Sequence, residues 1–501
     1  MKRVVPPVNA AALGVFLVAL VLYIATLAPG LLWGGGDFAT FQTRLYTADI
    51  ETGIFGHPLW VIVAHPFLWL PVHDVAYRAN LAAACFASLA LVFVFLTARR
   101  LAQSVRAALL ATGALMVSHT FWTYAVMAKP YSLNALLLAA CLFFVLRWGQ
   151  ERRTSDLLVF AGLYALSPIN HLVMWTGAAG FLAYVVLVAR RTWSESATRR
   201  QVALAGIVFV AVSSIYPVLT MLQGQTRATG GAIMKFIAGF AAAVCSPTLL
   251  GLGLGAGIAL LIYQFPLAIV FGVGGLVHSW RGDRAVATML TLVALGDVAF
   301  LLGATDPRTG GEYVWNLHYY LQVYVVVALW IAIGCEALLR FVRTRWQHVV
   351  VSMACVAVPI AGYAVAPIVA RSVLANVPGF RQLAGRDNLT YVLSPWKHHE
   401  RGARAFSEAV LNALPRDSIL FADYSIWSML NYLQVVEQAR PDVTLVRLPG
   451  PGAGQQLPLL LNARGASTMF LSDVNRYYDM GEIETRFAVM PAGPVYRLLT
   501  R

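Results

Sequence analysis

Trp33-Gly34-Gly35-Gly36-Asp37-Phe38-Ala39-Thr40-Phe41 stands just after the first apolar run of the chain, Ala11 to Leu27. A carboxylate at the end of a hydrophobic span, on a loop of glycines, serves packing poorly. It fits chemistry on a membrane-borne substrate better. Lys2 and Arg3 precede the run, so a retained first helix has its N-terminus in the cytoplasm and delivers Asp37 to the outer surface. A cleaved leader is the alternative, but no convincing small-x-small site precedes Trp33.

The composition around this loop sets the class. With 59% hydrophobic and only 12% charged residues over 501 positions, the chain cannot be a water-soluble globule and reads as a polytopic membrane protein. The formal net charge of +14 does not indicate nucleic acid, because Lys and Arg cluster in short loops between apolar spans, where orientation requires them. Cys85, Cys141, Cys245, Cys335 and Cys355 all lie in or beside apolar stretches without metal-ligand spacing, and read as small buried hydrophobes.

Working outward, Pro58 to Val72 is interrupted by His65-Pro66 and is shorter than the roughly 20 residues that a span needs, so it should lie along the outer surface. Ala76 to Ala98 then runs inward and carries Arg99, Arg100 and Arg106 to the cytoplasm. Spans at Ala107 to Met127, Tyr131 to Leu146, Leu157 to Ile169 and Leu172 to Ala189 keep Arg147, Arg152, Arg153, Arg190, Arg191, Arg199 and Arg200 inside as well. Val202 to Leu222 leads out, a helix ending near Trp280 returns, and Ala285 to Gly303, Tyr320 to Arg340 and Val349 to Ala370 follow. Phe236 to Tyr263 holds either no further span or two, giving about 11 to 13 transmembrane helices.

The expected organisation is a transmembrane region, 1–370, with a first outer loop at 28–75, and an extracytoplasmic domain, 371–501. That tail has soluble composition. His399 to Leu414 and Trp427 to Val436 read as helices, and Ser418 to Ala422, Asp442 to Leu448 and Ser467 to Leu471 as strands, which argues for a small parallel α/β domain. Pro449-Gly-Pro-Gly-Ala-Gly454 resembles a phosphate loop only superficially, since its prolines remove donors and no Lys-Ser/Thr follows; a plain turn is the better reading.

Sorting polar residues by membrane side leaves an outer set of both signs: Asp37, Arg44, Asp49, Glu51 and His57; Arg78; Lys129-Pro130-Tyr131; Asn170-His171; and Asp306, Arg308, Glu312 and His318. Each has a bland reading. Lys129 could snorkel, Asn170-His171 could cap two helix ends, and Tyr319 and Tyr320 could be interfacial anchors. Pro168 and the short flanking spans place the Asn170-His171 junction below the surface, where polar groups are costly.

These residues resemble the GT-C superfamily of membrane glycosyltransferases. They are closest to the branch of uncharacterised bacterial membrane proteins related to animal protein O-mannosyltransferases. The resemblance rests on Gly36-Asp37-Phe-Ala-Thr-Phe41 with His57-Pro58, on Ala76-Tyr-Arg-Ala-Asn80 through Thr97-Ala-Arg-Arg-Leu101, and on Ser118-His-Thr-Phe-Trp122 through Ala128-Lys-Pro-Tyr-Ser-Leu-Asn134. Gly162-Leu163 through Asn170-His171 and Ile419-Leu-Phe421 through Arg440-Pro-Asp-Val443 complete it. Two family acids are replaced: Thr40 stands at a glutamate position, and Lys129-Pro130 replaces a Glu-Val pair.

The resemblance implies an inverting glycosyltransferase that moves a sugar, mannose being one option, from a polyprenyl-phosphate donor to a hydroxyl of a protein or glycan acceptor on the extracytoplasmic face. Asp37 would be the catalytic base. Phosphate already leaves readily, so cations that stabilise it matter more than a general acid. Arg78, Lys129, His171 and Arg308 are the candidates for that role, with His57, Tyr131 and Asn170 beside them. Asp37, Asp49, Glu51 and His57 could hold a divalent metal, though no spacing demands one. The loops and arginine pattern fit a bacterial inner membrane. Two alternatives stay open: a transporter or flippase of lipid-linked substrate, which would show inverted repeats with broken helices, and a catalytically silent subunit of an envelope assembly complex.

Overall fold

A computed structural model of the chain describes residues 8–34, 38–52, 56–305, 316–339, 344–377, 380–450, 452–462 and 468–501. Asp37, Asp306, Arg308 and Glu312 lie outside the described residues.

The order of helices is α1 (Val8–Ala25), α2 (Phe38–Thr47), α3 (Pro58–Ala64, continued by a 3-10 turn, His65–Trp69), α4 (Val75–Ala102), α5 (Val105–Met116), α6 (His119–Ala125), α7 (Tyr131–Glu151) and α8 (Thr154–Asn170). A second 3-10 turn, Leu172–Gly177, leads into α9 (Ala178–Ala189), followed by α10 (Ser196–Ser213), α11 (Ile215–Leu222), α12 (Thr226–Cys245), α13 (Pro247–Gln264), α14 (Ile269–Arg281) and α15 (Arg284–Ala304). Then come α16 (Leu321–Leu339) and α17 (Arg345–Val373).

Among the described residues nine segments are long and apolar enough to cross a membrane, and Pro58–Trp69, Val105–Met116 and Thr229–Cys245 are shorter apolar helices beside them. The chain is an integral membrane protein. The stretch whose span content the sequence left open forms two helices, α12 and α13, parted at Ser246, whose side chain caps α13 by accepting from Leu249 N. The single span expected from Ala107 to Met127 is broken instead. Ser118 is extended, its hydroxyl donates back to the Leu115 carbonyl at 2.8 Å, and α6 starts at His119.

α16 is the axis of the bundle: most of His318–Ala337 is buried, whereas nearly all of Ser196–Leu222 is left to face lipid. Glycine permits the closest crossing. A Cβ on Gly275 would lie 1.8 Å from the Trp330 carbonyl oxygen, and one on Gly334 1.9 Å from that of Phe271, so α14 and α16 touch backbone to backbone.

The C-terminal region contains α18 (Asn388–Leu393), α19 (Gly402–Asn412), α20 (Tyr424–Glu437), α21 (Gln456–Asn462) and α22 (Met480–Ile483) around a five-stranded sheet of order β2-β1-β3-β5-β4. β1 (Ile419–Ala422), β2 (Thr444–Arg447) and β3 (Met469–Leu471) pair in parallel, as the sequence indicates. The sheet is nevertheless mixed, because the hairpin of β4 (Phe487–Ala492) and β5 (Val495–Thr500) joins antiparallel to β3. Pro491 and Pro494 hide that hairpin from sequence reading. Pro491 falls on the edge strand and Pro494 in the turn, beside Gly493 at φ 69°, where neither costs a ladder bond. The helix expected from His399 begins only at Gly402, because the Glu400 carboxylate takes the Gly402 amide and the Trp33 indole as donors. Residues of α19 and α20 share one hydrophobic cluster with the membrane helices, while the outer face of the sheet packs a cluster of its own around Leu448, Leu460 and Phe487.

Candidate functional site

Two buried side chains fix the entrance to the glycine loop. Asn80 of α4 donates to the carbonyls of Ala28 (3.0 Å) and Gly30 (3.1 Å), and its own oxygen accepts from Ala128 N at 3.0 Å. Gln42 of α2 donates to Gly30 O and to Asn80 Oδ1, and accepts from Leu32 N at 3.1 Å. One network thus sets the path of the chain ahead of Gly34 and the residue before Lys129. Both side chains are fully buried, and satisfying all their polar atoms makes that tolerable.

The C-terminal region closes on the same loop from outside. A Cβ on Gly34 would sit 1.6 Å from the Ser425 carbonyl oxygen and 2.4 Å from Ser428 Oγ, so α20 rests directly on the loop backbone. Trp33 is completely buried. Its indole N–H donates to Glu400 Oε1 at 2.9 Å, and the Arg386 guanidinium lies 5.2 Å from its ring centre. Burial lowers the Arg386 pKa from its ordinary value. Past the loop, Thr40 Oγ1 and Tyr424 OH are 2.9 Å apart. Residues 33–34 and 38–40 are therefore held on both sides of Asp37.

Beside α2 lies a group of aromatic, histidine and lysine side chains. Lys129 is 4% exposed, and its ammonium stands 5.0, 5.9 and 5.2 Å from the ring centres of Phe38, Phe41 and Tyr131. Tyr131 stacks on His318 at 4.0 Å, and His318 Nδ1 meets Tyr124 OH at 3.0 Å. Tyr131 also packs 5.4 Å from His171, whose ring is 4.7 Å from that of His57. Asn170 Nδ2 donates to Pro130 O at 3.1 Å and faces Asn134 Oδ1 at 3.3 Å.

The hydrogen bonds place a proton on Nδ1 of one imidazole and none on Nδ1 of the other. His57 Nδ1 faces the Asn170 carbonyl at 2.6 Å, and a carbonyl only accepts, so that nitrogen carries a proton. His171 Nδ1 accepts from Val173 N at 3.1 Å and so bears none; its proton is on Nε2. In this turn between spans, burial, and then the neighbouring His57 and Lys129, hold the His171 pKa well below the ordinary value. The neutral ring is a fixed N–H donor. His57 itself is held at a left-handed φ of 52°, directly before Pro58.

Of the residues singled out in the sequence, His57, Lys129, Tyr131, Asn170 and His171 converge beside Phe38 and Phe41 of α2. Arg78 is elsewhere: its guanidinium donates to the carbonyls of Leu68, Leu70 and Asp74 and ties the turn after α3 to the start of α4. Asp37 and Arg308 lie outside the described residues. Asp49 pairs with Arg44 at 3.0 Å. Among the described residues no three His, Cys, Asp or Glu side chains gather as metal ligands do. Tyr124, Gln42, Asn80 and Tyr424 were not among the candidates, and His318, counted in the outer set without a role, joins the group through Tyr131 and Tyr124. The only signal for Gln42 and Asn80 is a polar amide on an otherwise apolar helix face.

Comparison with known proteins fits this geometry. Residues 54–197 match the family described as the protein O-mannosyl-transferase TMEM260 N-terminal domain, a segment that contains all five converging candidates. The protein O-mannosyl-transferase TMEM260 of Mus musculus is 30% identical over 137 residues, which are 26% of this chain and 19% of that protein. The match thus spans about a fifth of the relative's length. ArnT from Cupriavidus metallidurans, in crystal structures bound to undecaprenyl phosphate and in the apo state, is similar throughout. Each superposes with a TM-score of 0.60 at 16% identity; the first covers 97% of both chains, the second 98% of this chain and 97% of ArnT. The chain has the fold of ArnT.

Proposed function

We propose that this protein is a membrane glycosyltransferase that transfers a sugar from a polyprenyl-phosphate donor to a hydroxyl of a protein or glycan acceptor at the extracytoplasmic face of a bacterial inner membrane. The observation that carries the reading is the gathering of Lys129, His171 and His57 around Tyr131, beside Phe38 and Phe41, on the fold of ArnT. The likeness to a TMEM260 O-mannosyl-transferase supports mannose as the first sugar to try, and the lipid bound by ArnT supports a polyprenyl phosphate carrier.

In this mechanism the Asp37 carboxylate takes the proton of the acceptor hydroxyl while its oxygen attacks the anomeric carbon from the face opposite the phosphate. The new glycosidic bond forms as the bond from the anomeric carbon to the phosphate oxygen breaks. The bonding pair leaves on the phosphate, and the configuration inverts. Lys129 and the Nε2–H of His171 are suited to neutralise that growing charge in a water-poor site, where such donors act most strongly. The aromatic rings of Phe38, Phe41 and Tyr131 help to orient the ammonium.

The test is transfer of labelled sugar from a panel of polyprenyl-phosphate sugars, mannose first, by purified wild type beside Asp37→Asn. Transfer by wild type alone supports the class and the base together. If no donor is used although both proteins are folded and bind lipid-linked sugar, a transport or binding role replaces this one. A parallel run with chelator reads whether Asp37, Asp49, Glu51 and His57 serve a divalent ion.

A further inference from the structure

Gly296-Asp297 stands in the middle of α15, a span of mean hydropathy 2.1. An acid in that setting is expensive, and Asp297 is fully buried and forms no ion pair among the described residues. The glycine before it explains how it reaches its partner. A Cβ at Gly296 would fall 2.2 Å from the Thr176 carbonyl oxygen, so α15 lies against the backbone of the 3-10 turn Leu172–Gly177. Across that contact Asp297 Oδ1 and Thr176 Oγ1 are 2.6 Å apart, and Thr176 Oγ1 is 2.7 Å from the Val173 carbonyl within the same turn.

The Val323 backbone N–H also faces the carboxyl group, and the state of Asp297 is read from the protons available at the Thr176 contact. A threonine hydroxyl has one proton, and a carbonyl can only accept. An ionised Asp297 would leave two acceptors competing for that single proton, with one short contact repulsive. Both contacts are hydrogen bonds if the carboxyl group is protonated, donates to Thr176 Oγ1, and lets Thr176 donate to Val173 O. The turn fixed in this way is the one whose Val173 N–H donates to His171 Nδ1.

We infer that Asp297 is a neutral carboxylic acid serving as a positioning residue. Through Thr176 and Val173 it holds the 3-10 turn and keeps the His171 proton on Nε2, pointing a donor rather than a lone pair into the site. Short 3-10 segments have weak internal hydrogen bonding and take such outside support readily. A buried partner that fixes the tautomer of a functional histidine is a recurrent device. The consequence for catalysis rests on the proposed transferase; the protonation state and the tautomer do not.

The experiment compares wild type with Asp297→Asn, Asp297→Leu, Thr176→Ser and Thr176→Val in lipid nanodiscs. Asparagine can donate to Thr176 Oγ1 as the acid does, leucine cannot, and valine keeps the shape of threonine without its proton. Infrared difference spectra of wild type minus Asp297→Asn are expected to show loss of a carboxylic-acid C=O band that shifts in D2O. Loss of a carboxylate band instead overturns the inference. Nitrogen-15 spectra of histidine-labelled protein, assigned with His171→Gln, are expected to show His171 with its proton on Nε2 in wild type, Asp297→Asn and Thr176→Ser. In Asp297→Leu and Thr176→Val they should show a mixture of tautomers. An unchanged His171 signal in those two variants also overturns it.

Where transfer is measured, Asp297→Leu and Thr176→Val should lose about tenfold or more in kcat with little change in donor KM, and Asp297→Asn should stay within about twofold of wild type. An asparagine variant as impaired as the leucine variant contradicts the neutral-acid role. If wild type transfers nothing while the two spectroscopic results hold, the transferase reading falls and this one stands.

Discussion

Thr40 and Tyr424 are separated by 384 positions in the chain, and their hydroxyls meet at 2.9 Å. The bond joins α2, which begins at the residue after Asp37, to α20 of the C-terminal region. Together with the contact of Gly34 on Ser425 and the Trp33–Glu400 bond, it makes that region part of the site wall. The Thr40 hydroxyl is thus a group that ties the loop down.

That tie should be measurable as a coupling. Tyr424→Phe and Thr40→Val each remove one side of the bond, and the double variant should be no worse than the poorer single one. A double-mutant cycle on transfer rate is expected to return about 1 kcal/mol of interaction, roughly a fivefold non-additivity. Strict additivity would mean that the two hydroxyls act independently.

Gly34→Ala places a methyl group where the Ser425 carbonyl oxygen already is. The obstacle is backbone, so α20 or the loop must move, at a cost of about 3 kcal/mol. The variant should lose its thermal transition at the wild-type temperature in detergent, and Ser428→Ala in the same chain should not restore it. Recovery by Ser428→Ala would place the clash on the side chain instead.

Lys129→Met keeps the length of the side chain and removes its charge from among Phe38, Phe41 and Tyr131. If the ammonium stabilises the leaving phosphate, kcat at saturating donor should fall by about a hundredfold while the protein stays folded. Lys129→Arg should recover part of that loss. A methionine variant with normal kcat and raised KM would assign the lysine to ground-state binding only.

Lys397 gives a pH signature in the C-terminal region. Its ammonium donates to the carbonyls of Tyr391 and Ser394, and burial lowers its pKa from 10.5 to about 7, with Glu400 opposing the shift. Between those values the unfolded chain binds the proton and the folded chain does not, so stability rises with pH from about 7 toward 10.5. Below about 7 the full cost of burying the charged form is present. Wild type minus Lys397→Met, followed by thermal unfolding from pH 6 to pH 10, should show that slope. A flat difference would mean that the ammonium stays charged throughout.

The arginine clusters, the apolar spans and the alternating strand and helix signals of the tail determined by themselves that this is a polytopic membrane protein with a small α/β region. Those patterns are local, and each is decided by solvent preference within a few residues of chain. The same logic groups Lys129, Tyr131, Asn170 and His171 as an expected set on one side, since the expected membrane side is read by counting passes. Which of the outer residues meet is not local. Arg78 has the same charge and the same expected side as Lys129, yet its guanidinium is used by the carbonyls of Leu68 and Leu70, while Lys129 lies beside three rings. Asn80 and Gln42 are unremarkable polar letters until the loop carbonyls close around them. Only the tertiary structure makes Tyr424 a neighbour of Thr40 and joins Asp297 to His171. Those contacts depend on close backbone approaches that Gly34 and Gly296 permit and that no sequence period records.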